Sequence, residues 1–195
     1  MTADLGPVDP ASGPRFRRGR LLVAAPVLTD PNFHRAVVLM LEHSGDGALG
    51  LVLNRPTGIV AREAIPPPLG DALAPGELIH SGGPVQPDAV IVLADFTDPA
   101  DAASIAFGSV GIVDPRGDQG DVADRVRALR AFGGYAGWGG GQLEAEIAEG
   151  AWLDAEGRPE DVFTDAAEGL WSRVLERKGG AYRLVARMPE DPSLN

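Results

Sequence analysis

The chain has 195 residues, 44% hydrophobic and 23% charged, with a formal net charge of -11; this is enough apolar material for one domain with its own core, and the acidic balance opposes a broad interface with a nucleic-acid backbone. Cysteine is absent and Lys178 is the single lysine, which excludes disulfides, thiol chemistry, cysteine-held metals, a lysine phosphate loop and a Schiff-base lysine among glycines. No apolar run is long enough to cross a membrane and no basic-then-apolar leader opens the chain, so the expected location is cytoplasmic.

Residues 1–18 carry Gly6, Pro7, Pro10, Gly13 and Pro14, then Arg15, Arg17 and Arg18, with no apolar periodicity to bury; they read as a flexible tail before a single domain, 19–195. Leu21 to Ala25 is a short strand stopped by Pro26, and Asp30-Pro31-Asn32-Phe33 a turn with an aromatic plug. The apolar runs 36–41 and 48–53, separated by Ser44-Gly45-Asp46-Gly47, predict a hairpin of two largely buried strands ended by Asn54-Arg55-Pro56. Residues 60–77 hold four prolines and read as a surface excursion with short, broken helix. His80-Ser81-Gly82-Gly83-Pro84 is a glycine turn, and 89–94 and 110–113 are further strands. Val122, Val126 and Leu129 at helical spacing, with Arg125, Arg127 and Arg130 on the other faces, predict a helix.

The stretch 133–141 then holds six glycines with Tyr135 and Trp138. It reads as a rigid glycine-rich loop in which close backbone approach is needed, leading into a helix that begins at Gly141 with Gln142, Leu143, Glu144 and Ile147. Gly150 stops that helix, 151–153 is a short strand, and Asp165 with Glu168 forms a capping box for a helix with the stripe Ala167, Leu170, Trp171, Val174 and Leu175. Gly179-Gly180 ends it before a final strand, 182–186.

Several constellations invite a chemical reading and are outweighed by plainer ones. The glycine stretch has Gln142 where a dinucleotide loop needs its third glycine, and Glu144 nearby, so packing is favoured over an anion cradle. His34, His43 and His80, with Asp30 and Glu42, lack metal-ligand spacing. Ser81 lacks the Gly-x-Ser-x-Gly elbow of an acyl-transfer nucleophile. Asp114, Asp118 and Asp121 lack the alternate ligands and closing glutamate of a calcium loop.

Six segments in order, Gly19 to Ala24, Asp30 to Phe33, Gly50 to Pro56, Gly82 to Val85, Gly134 to Glu144 and Asp191 to Asn195, resemble the YqgE/AlgH family of bacterial proteins, with Gly140 where some relatives carry proline. The resemblance implies a compact domain whose sheet is surrounded by helices, and a connection of some members with transcriptional regulation. It implies no catalytic residue, cofactor or ligand. The expected fold is α+β, with a mixed, largely antiparallel, partly barrel-like sheet.

The resulting expectation is a non-enzymatic regulatory or binding protein without cofactor or metal, with an unknown protein or small-molecule partner. Asn32, Asn54, Arg55, Gly137, Trp138, Gln142 and Glu144 are the candidate binding residues, expected to share one surface beside the glycine stretch. The alternative is a nucleotide- or anion-binding protein or enzyme using the glycine turns. Direct DNA contact would fall to Arg15, Arg17, Arg18 and Arg20. Trp138 is predicted to be buried, because an exposed tryptophan among glycines would lose conformational freedom with little packing to offset it.

Overall fold

A computed structural model describes residues 17–117 and 121–189. The first three strands are Arg20–Ala24 (β1), Val37–Ser44 (β2) and Gly47–Val52 (β3), each antiparallel to the next. Their runs are continuously apolar because both faces are covered. Leu21, Val23, Leu39, Leu51 and Leu53 enter one core cluster, whereas Leu22, Ala24, Val38, Met40 and Val52 enter another, as the two-residue alternation of a strand requires.

Pro56–Val60 (β4) follows, then the short helices Ala61–Ala64 (α1) and Leu69–Ala72 (α2), and Leu78–Ser81 (β5), which pairs antiparallel with β4. The proline-rich segment was expected to be a surface excursion; instead it buries Ala61, Ile65, Leu69 and Leu73 in a third core cluster. Val85–Phe96 (β6), Ser104–Phe107 (β7) and Val110–Ile112 (β8) add antiparallel strands.

The predicted helix over 122–130 is confined to Val122–Arg125 (α3), and Val126–Gly139 is a single 14-residue strand, β9. The supposed glycine loop is therefore the central strand of the sheet. Its first half pairs with β6 from Val126 to Gly133, and this long-range ladder overrides a helical pattern that rested on three apolar residues. On its other edge β9 changes neighbour, running parallel to β5 at Phe132 and Gly133 and antiparallel to β3 from Ala136 to Gly139. Gly134 sits at the change with φ +70, and a Cβ there would come within 2.6 Å of the Gly83 carbonyl oxygen. Gly82 is threaded through the same place, its N–H donating to Gly133 at 2.8 Å and its carbonyl accepting from Val52 at 2.8 Å. Three backbones cross there with no room for side chains, which accounts for the glycines in both segments.

Beyond β9 come Gln142–Ala148 (α4), Trp152–Glu156 (β10), Pro159–Val162 (α5), Leu170–Lys178 (α6) and Tyr182–Val185 (α7). Gly141, Gly150 and Gly179 stand at helix ends with positive φ, as expected. The Asp165–Glu168 capping box does not form. Thr164 Oγ1 accepts the Ala166 N–H at 3.2 Å, and a 3-10 turn, Ala167–Gly169, leads into α6. The predicted last strand is helix α7, which closes on α6 with the Lys178 amine 4.9 Å from the Tyr182 ring centre. A five-residue segment, Tyr182 to Ala186, is too short to tell the two periods apart, and packing on α6 decides it.

The main sheet runs β10-β1-β2-β3-β9-β6-β8-β7, with β4 and β5 beside it. It curls until Arg18, just ahead of β1, reaches Ser104 and the Ile105 carbonyl of β7, but no ladder joins the outer strands β10 and β7 among the described residues and the sheet stays open. The expected α+β architecture with a mixed, largely antiparallel sheet and surrounding helices is what the chain forms. Of the predicted tail, residues 1–16 lie outside the described residues, as does the 191–195 segment. Arg17 pairs with Asp154 at 2.9 Å.

Candidate functional site

The seven residues expected to share one surface fall at the two ends of the β2–β3 hairpin. Trp138, Gln142 and Glu144 lie where Gly47 pairs with Gly139. Trp138 is 6% exposed, as predicted, with its ring 6.0 Å from Phe33 and 5.9 Å from Trp152. The indole N–H groups of Trp138 and Trp152 both donate to Glu146 Oε2, at 3.0 and 2.8 Å. Gln142 donates to Glu146 Oε1 at 3.0 Å and accepts the Gly139 N–H at 3.1 Å. Glu144, held below the usual carboxylate range by its own backbone N–H and by His43, lies 2.8 Å from His43 Nε2. Gly137 lies within β9 opposite Leu49. These polar groups are committed to one another.

Asn32, Asn54 and Arg55 lie at the other end, beside Arg35 and Pro56. Asn54 is buried and bridges two strands' ends, accepting the Val37 N–H and donating to the Arg35 carbonyl, both at 2.9 Å. That second bond holds Arg35 in a left-handed backbone conformation, φ 54, that costs a non-glycine residue energy. The Arg35 guanidinium lies over the Trp171 ring, 4.6 Å from its centre, with one nitrogen on the Met188 carbonyl. Trp171 is itself fixed by donating to the Ala24 carbonyl at 2.8 Å. Arg55 donates to the His34 carbonyl at 2.6 Å. Asn32 is exposed on the adjoining rim, its N–H in a turn closed by Asp30 at 2.7 Å.

Arg35, Asn54 and Arg55 open on a cleft of about 640 Å³ lined also by His34, Pro56, Glu168, Trp171 and Ser172, whereas Asn32 borders a separate hollow that shares only Arg55 with it. A second hollow of about 550 Å³ shares Pro56 and Glu168 with it and contains His80, Glu77, Arg130, Thr164 and Asp165. Arg130 is 4% exposed, paired with Glu77 at 2.7 Å and donating to the carbonyls of Val162 and Thr164 at 3.0 and 2.7 Å. Each guanidinium carries five N–H donors in a planar fork suited to carboxylate or phosphate, and Arg35 and Arg55 each commit a single nitrogen to a protein carbonyl among the described residues. The cleft therefore presents unused positive donors in a protein of net charge -11.

Sequence reasoning found Asn54 and Arg55 but missed Arg35, Trp171 and Arg130. Arg130 was assigned to the polar face of a helix; as part of a strand, an arginine inside Ala128-Leu129-Arg130-Ala131-Phe132 would have signalled a buried ion pair. The three histidines lie apart, and no group of metal-binding side chains forms among the described residues. Ser81 is not served by its neighbour, because successive residues of β5 point to opposite faces and His80 is buried where Ser81 is exposed; His80 Nδ1 is taken by the Leu53 carbonyl at 2.8 Å. Asp114 accepts the Arg116 N–H at 2.8 Å, and Asp118 lies outside the described residues.

Comparison with known proteins gives a consistent picture. A family model described as AlgH-like matches residues 21–183. UPF0301 proteins of Streptomyces avermitilis and Streptomyces coelicolor are 44% and 45% identical to this chain, each match covering 91% of it and 94% of the relative. The crystal structure of a Corynebacterium diphtheriae protein superposes with a TM-score of 0.81 at 26% identity, covering 88% of this chain and 92% of that one. The solution structure of the AlgH protein from Pseudomonas aeruginosa gives 0.68 at 30% identity, covering 91% and 97%.

Proposed function

The chain belongs to the AlgH-like family, and from that premise we propose that it is a non-enzymatic, cytoplasmic regulatory protein that binds a small carboxylate- or phosphate-bearing ligand in the Arg35–Arg55 cleft. The observation that carries this reading is Arg35 itself. A strained backbone, an Asn54 bond and an aromatic platform hold one guanidinium at the rim, and Arg55 stands beside it. Strain maintained by surrounding structure is a feature of ligand clamps, and pre-set donors bind anions at low ordering cost. The arginines thus take over the role that the alternative sequence reading gave to the glycine turns.

Any influence on transcription runs through a protein partner on this reading. Arg17 and Arg20, two of the residues a DNA contact would use, are paired with Asp154 at 2.9 and 2.5 Å, and Arg18 is bonded to Ser104 and Ile105. Thermal unfolding in the presence of phosphorylated metabolites, nucleotides and dicarboxylates tests the ligand. A binder at a hundred times its Kd adds about 2.7 kcal/mol, and the gain disappears in Arg35→Ala/Arg55→Ala. A flat response across the panel, or an equal gain in the double variant, sinks the reading.

A further inference from the structure

The second hollow of the cleft contains a histidine with one nitrogen left for a ligand. His80 is 3% exposed, and its Nδ1 lies 2.8 Å from the Leu53 carbonyl oxygen. A carbonyl only accepts, so Nδ1 carries a proton. The ring stands edge-on to Phe132 with centres 5.7 Å apart, which fixes its plane. Nε2 has no protein partner among the described residues, yet no fully buried side-chain nitrogen there lacks one. Nε2 is therefore reached from the hollow that His80 lines. Burial holds the imidazole below its ordinary pKa, as does the Arg130 charge, against the Leu53 bond and Glu77, which favour the proton. At neutral pH the ring is thus uncharged and offers a lone pair.

The two hollows adjoin, with Pro56 and Glu168 in the walls of both. Pro56 and His80 face each other across the β4–β5 pair, and the Arg55 carbonyl accepts the Ser81 N–H at 2.8 Å. Glu168 is common to both hollows and Asp165 lines the second, where Arg130 is spent on Glu77 and two backbone carbonyls, so the uncommitted donors stand at the Arg35–Arg55 end and acceptors continue into the second hollow. We propose that His80 Nε2 accepts a hydrogen bond from a hydroxyl of the same ligand whose anionic group is held by Arg35 and Arg55, and that the ligand is a hydroxylated phosphate ester of the sugar-phosphate kind. A molecule with one doubly charged end and several O–H donors matches a cleft whose uncommitted guanidinium donors stand at one end and whose acceptors, Glu168, Asp165 and His80 Nε2, extend into the other. This deepens the anion-binding reading and rests on it.

Calorimetric titration with ribose 5-phosphate and with methyl phosphate separates the two, because both carry the anion and only the first carries the hydroxyls. The wild type binds ribose 5-phosphate about tenfold more tightly, the effect of one well-made neutral hydrogen bond. His80→Asn keeps an amide donor for Leu53 and removes Nε2; it loses the preference and binds both esters alike. Equal affinity of the wild type for the two esters overturns the hydroxyl subsite and leaves the anion site standing, whereas no binding of either removes both. Should His80→Asn fail to fold, nitrogen NMR of the wild-type imidazoles decides. An Nδ1–H ring whose Nε2 resonance moves with ribose 5-phosphate and not with methyl phosphate is the expected result; an Nε2–H ring, or an Nε2 that does not respond, overturns the proposal.

Discussion

At the Gly139 end of the β2–β3 hairpin, Glu146 accepts from Trp138, Trp152 and Gln142, and Glu144 is bonded to His43; at the Asn54 end, Arg35, Arg55 and His80 each leave donors or an acceptor facing a cleft. The first end has the denser sequence signature, with glycines and aromatics in series, and the second is nearly inconspicuous. The contrast teaches that such a signature reports backbone crowding and a buried aromatic cluster, whereas binding capacity resides in polar groups that the fold positions without satisfying. Asn54 shows the difference within one segment. Its own hydrogen bonds are spent on the protein, and what it supplies to the cleft is the conformation of Arg35.

The largest expected effect tests the closed end. Trp138→Ala removes a 6%-exposed indole stacked on Phe33 and edge-on to Trp152 and is expected to cost about 3–5 kcal/mol in denaturant unfolding, the range for deleting a core aromatic. A variant as stable as the wild type would erase the distinction between the two ends. Asn54→Ala leaves the buried Val37 N–H without its acceptor and should cost about 1–3 kcal/mol. It also frees Arg35 from its left-handed conformation, so the variant should lose ligand affinity even where it remains folded.

Smaller effects sharpen the open end. His80 is held neutral by burial, its folded pKa below the unfolded value of about 6.5. The unfolded chain therefore binds the proton first as pH falls. Stability attributable to His80 is constant above about pH 6.5 and declines below it, by at most about 1.4 kcal/mol per pH unit, until the folded pKa is reached. Unfolding free energies across that window should fall more steeply for the wild type than for His80→Asn; parallel curves would mean that folding leaves the His80 imidazole as easily protonated as in the unfolded chain. Smallest in stability is Arg55→Ala, whose partly buried side chain makes one bond to the His34 carbonyl. It should stay within about 0.5 kcal/mol of the wild type while anion binding is lost, and unchanged binding would remove Arg55 from the site.

Much of the fold was legible in the chain. The strands of the first hairpin, those at 89–94 and 110–113, the helix starting after Gly141 and the stop at Gly179 all follow from apolar runs bounded by turn residues, which are local signals. Family membership was legible too, because it rests on spaced segments and needs no packing. Of the site, Asn54 and Arg55 were found as polar residues inside an apolar segment, but Arg35 sat unnoticed in a turn.

The sequence by itself determined an acidic α+β domain without cysteine chemistry and its early hairpin, since composition and short-range periodicity carry that information directly, while the burial of Trp138 followed from the cost of ordering an exposed tryptophan among glycines. Only the tertiary structure decided that 126–139 is a strand, because its ladder with β6 and its exchange of β5 for β3 at Gly134 depend on residues far away in the chain. It also decided where the binding capacity lies. Arg130 meets Glu77 across 53 positions, and Trp171 reaches Ala24 across 147; contacts at such separation leave no periodic trace, so the cleft exists only once the sheet and α6 have closed on one another.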